Sequence, residues 1–99
     1  MKQINGNEFK NLTGYYLVDF NATWCGPCRA LHPVLEELEG ESTIPFYGVD
    51  VDDEGELAES LGIQSIPCII IFKDGQEVSR SIGYKGKPLL KDFINNSIN

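Results

Sequence analysis

Tyr15-Tyr16-Leu17-Val18-Asp19-Phe20-Asn21-Ala22-Thr23-Trp24-Cys25-Gly26-Pro27-Cys28-Arg29 passes from one periodicity to another, and that change carries the fold. As far as Phe20 the run is aromatic, β-branched and apolar apart from Asp19, which reads as a strand buried on both faces. After Cys25 the apolar residues Leu31, Val34, Leu35 and Leu38 recur at the spacing of one helical stripe. Strand, short loop and helix therefore follow one another, with two cysteines at the junction.

The same strand–helix alternation continues outward. Ile44–Asp50 reads as a second long strand, with Pro45 tolerated at its start. Cys68–Phe72 is the most apolar strand, Lys73-Asp74-Gly75-Gln76 a hairpin turn, and Glu77–Ile82 the antiparallel return. Lys2–Ile4 adds a short edge strand. Helices are expected at Asn7–Leu12, Cys25–Leu38, Glu54–Leu61, which Gly62 stops, and Lys87–Ile94, where Pro88 suits a first turn. The order β-α-β-α-β-α-β-β-α implies an α/β fold: a central mixed sheet, parallel at its core, with an antiparallel C-terminal hairpin and helices on both faces. Its 99 residues are expected to form one domain, 1–99.

Composition narrows the function. Hydrophobic residues are 41% and aromatics 10%, a globular balance rather than a disordered one. The net charge is -7, and eight basic residues are scattered along the chain. Clustered cations for nucleic acid or an anionic membrane surface are missing, so neither partner is expected. The start lacks the apolar stretch of a signal peptide, and no run approaches the ~20 apolar residues of a membrane span. A cytoplasmic location is therefore expected. Three cysteines are too few, and odd in number, for a structural disulfide framework. In such a setting Cys-x-x-Cys reads as a redox motif.

The helix sharpens that reading. Cys28 falls at the edge of the apolar stripe and Cys25 further round, so the spacing predicts one exposed sulfur and one half-buried sulfur. An exposed Cys25 could meet a substrate disulfide while a shielded Cys28 waits. The helix N-terminus offers free N–H groups and partial positive charge, which favour the reactive thiolate. Pro27 gives up an N–H that has no helical partner in any case. Asp19, an acid in an apolar strand, is expected to hold its proton toward neutrality.

At these residues the chain resembles the thioredoxin family: Val18 to Arg29 with its Trp-Cys-Gly-Pro-Cys core, then Pro33, then Gly62-Ile63-Gln64-Ser65-Ile66-Pro67, then Phe72-Lys73-Asp74-Gly75, then Gly83. These landmarks cover nearly the whole chain. The resemblance implies the thioredoxin fold and a protein disulfide reductase working through a reversible Cys25–Cys28 couple. It implies that Cys25 forms a mixed disulfide with the target, Cys28 resolves it, and Asp19 exchanges a proton with Cys28. Trp24, Gly26, Pro27, Ile66, Pro67 and Gly83 match the docking surface, with Pro67 the family's cis-proline and the Ile66 backbone pairing with bound peptide. Pro33 matches the proline that kinks the active-site helix. No cofactor is implied beyond the redox-active disulfide and no metal. The implied partners are disulfide-bearing proteins and a thioredoxin reductase, the implied state is a monomer, and the implied setting is electron transport and redox homeostasis.

Four positions depart from the family pattern. Asn21 stands where many members carry tryptophan, Gly48 where many carry lysine, Cys68 where threonine is usual, and His32 lies one turn after Cys28. Cys25, Cys28, His32 and Cys68 also constitute the one rival ligand set, of the Cys₃His zinc type. A glutaredoxin, an oxidase or an isomerase on the same scaffold is a further alternative, against which Trp24 and the Gly-Pro dipeptide weigh.

Overall fold

A computed structural model describes residues 1–98. Its elements are β1 (Lys2–Gln3), α1 (Gly6–Lys10), β2 (Tyr15–Asn21), α2 (Gly26–Glu41), β3 (Phe46–Asp50), α3 (Gly55–Ser60), β4 (Cys68–Lys73), β5 (Gln76–Ile82) and α4 (Lys87–Ser97). The expected order holds throughout. The boundaries move where the pattern is weakest. The second long strand starts at Phe46 rather than Ile44, because Pro45 contributes only its carbonyl, which accepts from Leu17 N–H at 3.0 Å. Helices α2 and α4 run a turn or so past their last stripe residues, where the sequence is polar and carries no periodic signal.

The five strands lie in the order β1-β3-β2-β4-β5. β1, β3 and β2 are parallel, while β4 pairs antiparallel with both β2 and β5. Gly75 (φ 83°) and Asp74 (φ 50°) close the β4–β5 hairpin in the left-handed region, the conformation such two-residue turns require. The Asp74 carboxylate also accepts from Gly14 N–H at 2.7 Å, tying the hairpin to the start of β2.

Period-two alternation in β2 divides the core between the two faces of the sheet. Leu17 lies with Ile69 and Ile71 under α2 and α4, packed by Leu31, Leu35, Leu38, Leu90 and Ile94. Tyr16, Val18 and Phe20 lie with Ile70 and Phe72 on the other face, covered by Phe9, Leu57 and Leu61. Each fully buried leucine or isoleucine contributes about 1.5–3 kcal/mol relative to exposure. Val34 is only partly buried at the margin of the stripe. Asp19 shares the Leu17 face, so the β2 pleat alone aims its carboxyl at α2. Among the described residues no helix is long and apolar enough to cross a membrane.

Candidate active site

The two cysteines meet where β2 has ended and α2 begins. Cys25 is the N-cap, in extended conformation, and its Sγ accepts the Cys28 N–H at 3.2 Å. A disulfide joins Cys25 to Cys28, with Cα atoms 5.2 Å apart. Pro27 occupies the first turn, where a missing N–H costs no helical bond. The expectation of one exposed and one half-buried cysteine is corrected. Both residues are buried, Cys25 at 4% exposure and Cys28 at 5%. The helical angle does not govern Cys25, because a cap residue precedes the helix. Instead Cys25 packs with Cys28 and Ala22 against Val51 and Ile66. Gly26 and Pro27, by contrast, are exposed over the pair.

Behind the disulfide, Asp19 is 1% exposed. Burial pushes its carboxyl up from 3.8 to about 6, although the Asn21 amide and, more weakly, the His32 side chain favour the charged form. Asn21 Nδ2 donates to Asp19 Oδ2 at 3.1 Å and to the Asp19 carbonyl at 3.2 Å. Among the described residues no group hydrogen-bonds to Oδ1. A cleft of about 230 Å³ brings Asp19 and Cys28 to a common wall with Asn21, Arg29 and His32.

On the outer side, Trp24 stands 66% exposed and its indole N–H donates to Asp52 Oδ2 at 2.8 Å. The Ile66–Pro67 peptide is cis. Pro67 carbonyl accepts Gly83 N–H at 2.8 Å, which brings Gly83 (φ 88°) beside the loop before β4. Trp24 and Ile66 line one hollow with Val51, Ala58, Ile63 and Gln64. Sequence reasoning missed Val51 and Asp52. Their position just beyond β3, parallel to β2 and ending beside it, was the available signal: residues there must face the β2–α2 loop.

His32 and Cys68 lie in different surroundings, His32 on the cleft wall shared with Asp19 and Cys28 and Cys68 in the core of the other sheet face. His32 Nε2 lies 3.1 Å from Glu36 Oε1, one turn further along α2. Cys68 is a free thiol, 1% exposed, in the core beneath the opposite face. Burial pushes that thiol up, against the milder pull of Arg80. Among the described residues no group of three or more His, Cys, Asp or Glu side chains is arranged to hold a metal ion.

A sulfur capping a helix N-terminus and joined to a second sulfur one turn on is the core of a thiol–disulfide exchange centre, and the buried Asp19 lines the same cleft as Cys28. The family model described as Thioredoxin matches residues 2–96. A thioredoxin of Chlamydia caviae is 46% identical over 98 residues, covering 96% of each chain. A thioredoxin of Listeria monocytogenes is 43% identical over 99 residues, again with 96% of each chain covered. Among solved structures, a mutant thioredoxin from Halobacterium salinarum superposes with a TM-score of 0.91 at 31% identity, covering 99% of this chain and 90% of that one. Sheet order, the capped disulfide and these similarities converge: the chain belongs to the thioredoxin family and is a thiol–disulfide oxidoreductase.

Proposed function

We propose that the protein works in the reducing direction, passing two electrons from the Cys25–Cys28 dithiol to disulfides of other proteins. The Cys25 thiolate attacks a target disulfide, forming a mixed disulfide and releasing the first target thiolate. Cys28 then gives its proton to the Asp19 carboxylate and attacks Cys25 Sγ. The second target thiolate leaves and the Cys25–Cys28 disulfide closes, so one disulfide forms as one is reduced. A thioredoxin reductase recharges the pair, and the disulfide itself is the only redox group required.

The single observation carrying this reading is the capped disulfide at the head of α2. The Cys28 N–H that Cys25 Sγ caps, with the other free N–H groups of the first turn, favours a thiolate once the bond opens. With the pair buried, a target sulfur must be brought down to it. Exposed Trp24, Gly26 and Pro27 on one side, and Ile66, Pro67 and Gly83 on the other, form the surface that receives the target chain. The Ile66 backbone serves as the hydrogen-bonding edge. We place this chemistry in a single-domain, 1–99, cytoplasmic monomer serving electron transport and redox homeostasis, with no role for nucleic acid or membrane.

The potential of the Cys25–Cys28 couple, measured by thiol trapping and mass spectrometry across graded redox buffers, tests the direction. Values near about -270 mV are general to thioredoxins rather than a consequence of this geometry, and they mark a reductant. A potential nearer about -180 to -120 mV would assign an isomerase or oxidase instead.

A further inference from the structure

We propose that Asn21 is a positioning residue for Asp19: its side-chain amide holds Oδ2, leaving Oδ1 as the oxygen that takes and returns the proton exchanged with Cys28. This rests on the place of Asp19 in the proposed reaction and adds to it a named atom and the residue that selects it.

The pleat sets up the arrangement. Leu17, Asp19 and Asn21 alternate onto one face of β2, so the last two place their polar groups side by side at the end of the strand. An asparagine side chain can donate only through its amide nitrogen, and here that nitrogen bridges the Asp19 carboxyl and carbonyl oxygens. The bond ties up Oδ2. Oδ1 is buried and has no hydrogen-bonding partner among the described residues. A proton held on Oδ1 leaves the amide bond intact, whereas a proton on Oδ2 would have to compete with it. The transfer is therefore from Cys28 S–H to Oδ1. The S–H bond breaks, the O–H bond forms, and the proton returns when a dithiol reopens the disulfide.

Room for the amide comes from β3. Gly48 is the register partner of Asp19 on one side and of Gln3 on the other. A Cβ at Gly48 would overlap Gln3 Oε1 and come within 3.3 Å of Asn21 Nδ2. A glycine in mid-strand normally weakens a sheet. Here it leaves the space that Gln3 and Asn21 fill. Several other titratable groups lie around the same cleft. From α2 come Cys28, His32 and Arg29, whose guanidinium is committed to the Thr23 carbonyl at 3.0 Å. From the end of β3 comes Asp50, whose carboxylate accepts Asp52 N–H at 2.8 Å. The amino group of Met1 is engaged by Glu36 and Glu39. On β4 the register partner of Asp19 is the uncharged Ile69, with Cys68 next to it. Among the described residues only the Asn21 side chain donates to the carboxyl.

The test is carbon NMR titration of Asp19 in the oxidised protein and in Asn21→Leu, which keeps the shape and removes the donor. Asn21→Ala serves as a second variant. Loss of a bond to the charged form should raise the Asp19 midpoint by about one pH unit, a roughly tenfold gain in proton affinity. Turnover in the reducing direction should fall off on the acid side at a correspondingly higher pH. A merely structural asparagine would lower the melting temperature and leave both midpoints in place. An Asp19 midpoint unchanged in both variants would overturn the positioning role, even if Asp19→Asn still slows turnover. A midpoint that moves while the rate profile stays would remove Asp19 from the chemistry, and the assignment of Oδ1 with it.

Discussion

Cysteine is buried at two places in this protein, and the two burials have opposite chemical meaning. Cys25 and Cys28 sit at the head of α2, at 4% and 5% exposure, with a backbone N–H turned onto the first sulfur. Cys68 sits at the start of β4 at 1% exposure, directly after the cis-proline, among Val18, Phe20 and Ile70. Exposure barely separates them. The distinction lies in what the backbone offers: free N–H groups at a helix start favour a thiolate, whereas a strand ladder has already used its donors. In the second setting burial only opposes ionisation, and the Cys68 thiol is pushed up. Depth alone is therefore a poor guide to which sulfur reacts.

The sharpest break of this contrast is mutational. Cys25→Ser should reduce disulfide reduction to background, while Cys68→Ala should turn over like the parent. Cys28→Ser should accumulate covalent adducts with targets, visible on non-reducing gels. Full activity in Cys25→Ser would end the assignment.

Next in size is an effect of opposite sign on stability and rate. Burial pushes the folded Asp19 carboxyl up to about 6 from an ordinary 3.8. Protonated Asp19 therefore favours the fold fully below about pH 3.8, and that contribution is lost as pH rises through about 6. At neutral pH the buried charge costs up to about 3 kcal/mol. Asp19→Asn should thus raise urea resistance of the oxidised protein at pH 7 by up to that amount and change it little at pH 4. Its turnover should be slower by about tenfold or more. A variant neither more stable at pH 7 nor slower would remove the buried acid from both accounts.

Smaller again is a contrast in labelling. In the reduced protein at pH 7, iodoacetamide should modify Cys25 more than about tenfold faster than Cys68, as peptide mass spectrometry would show. Equal rates would mean that the helix start gives Cys25 no reactivity beyond that of a thiol buried in a strand. Smallest is packing: Cys68→Ala removes one buried sulfur and should cost about 1 kcal/mol in denaturant unfolding. A cost well above that would give Cys68 a structural weight that its surroundings do not suggest.

The legibility of the sequence follows the same division. The alternation of β2, the stripe of Leu31, Leu35 and Leu38 and the Asp74-Gly75 turn are local signals, and they were readable because each comes from residues close in the chain. The burial of Cys25 was not readable. It depends on Val51 and Ile66, which reach the cap from β3's end and from the loop before β4. Asp52 escaped for a like reason: its hydrogen bond to Trp24 spans 28 positions, and nothing in the acidic run around it marks one carboxylate as special. Asn21 and Gly48 were visible as departures from a family pattern. Their relation to each other required the strand register that sets Gly48 against Asp19.

The cap of α2 has one more implication. Most helices are closed by an oxygen that has no other duty. Here the closing atom is the one proposed to be spent and restored in every cycle, so the redox state is also recorded in the backbone. With Cys25 in a disulfide, the Cys28 amide faces a neutral sulfur. When the pair reopens, it faces a charged sulfur instead. Hydrogen exchange at that single amide should therefore follow the progress of the reaction, making the first turn of the helix a gauge of how far each molecule has gone.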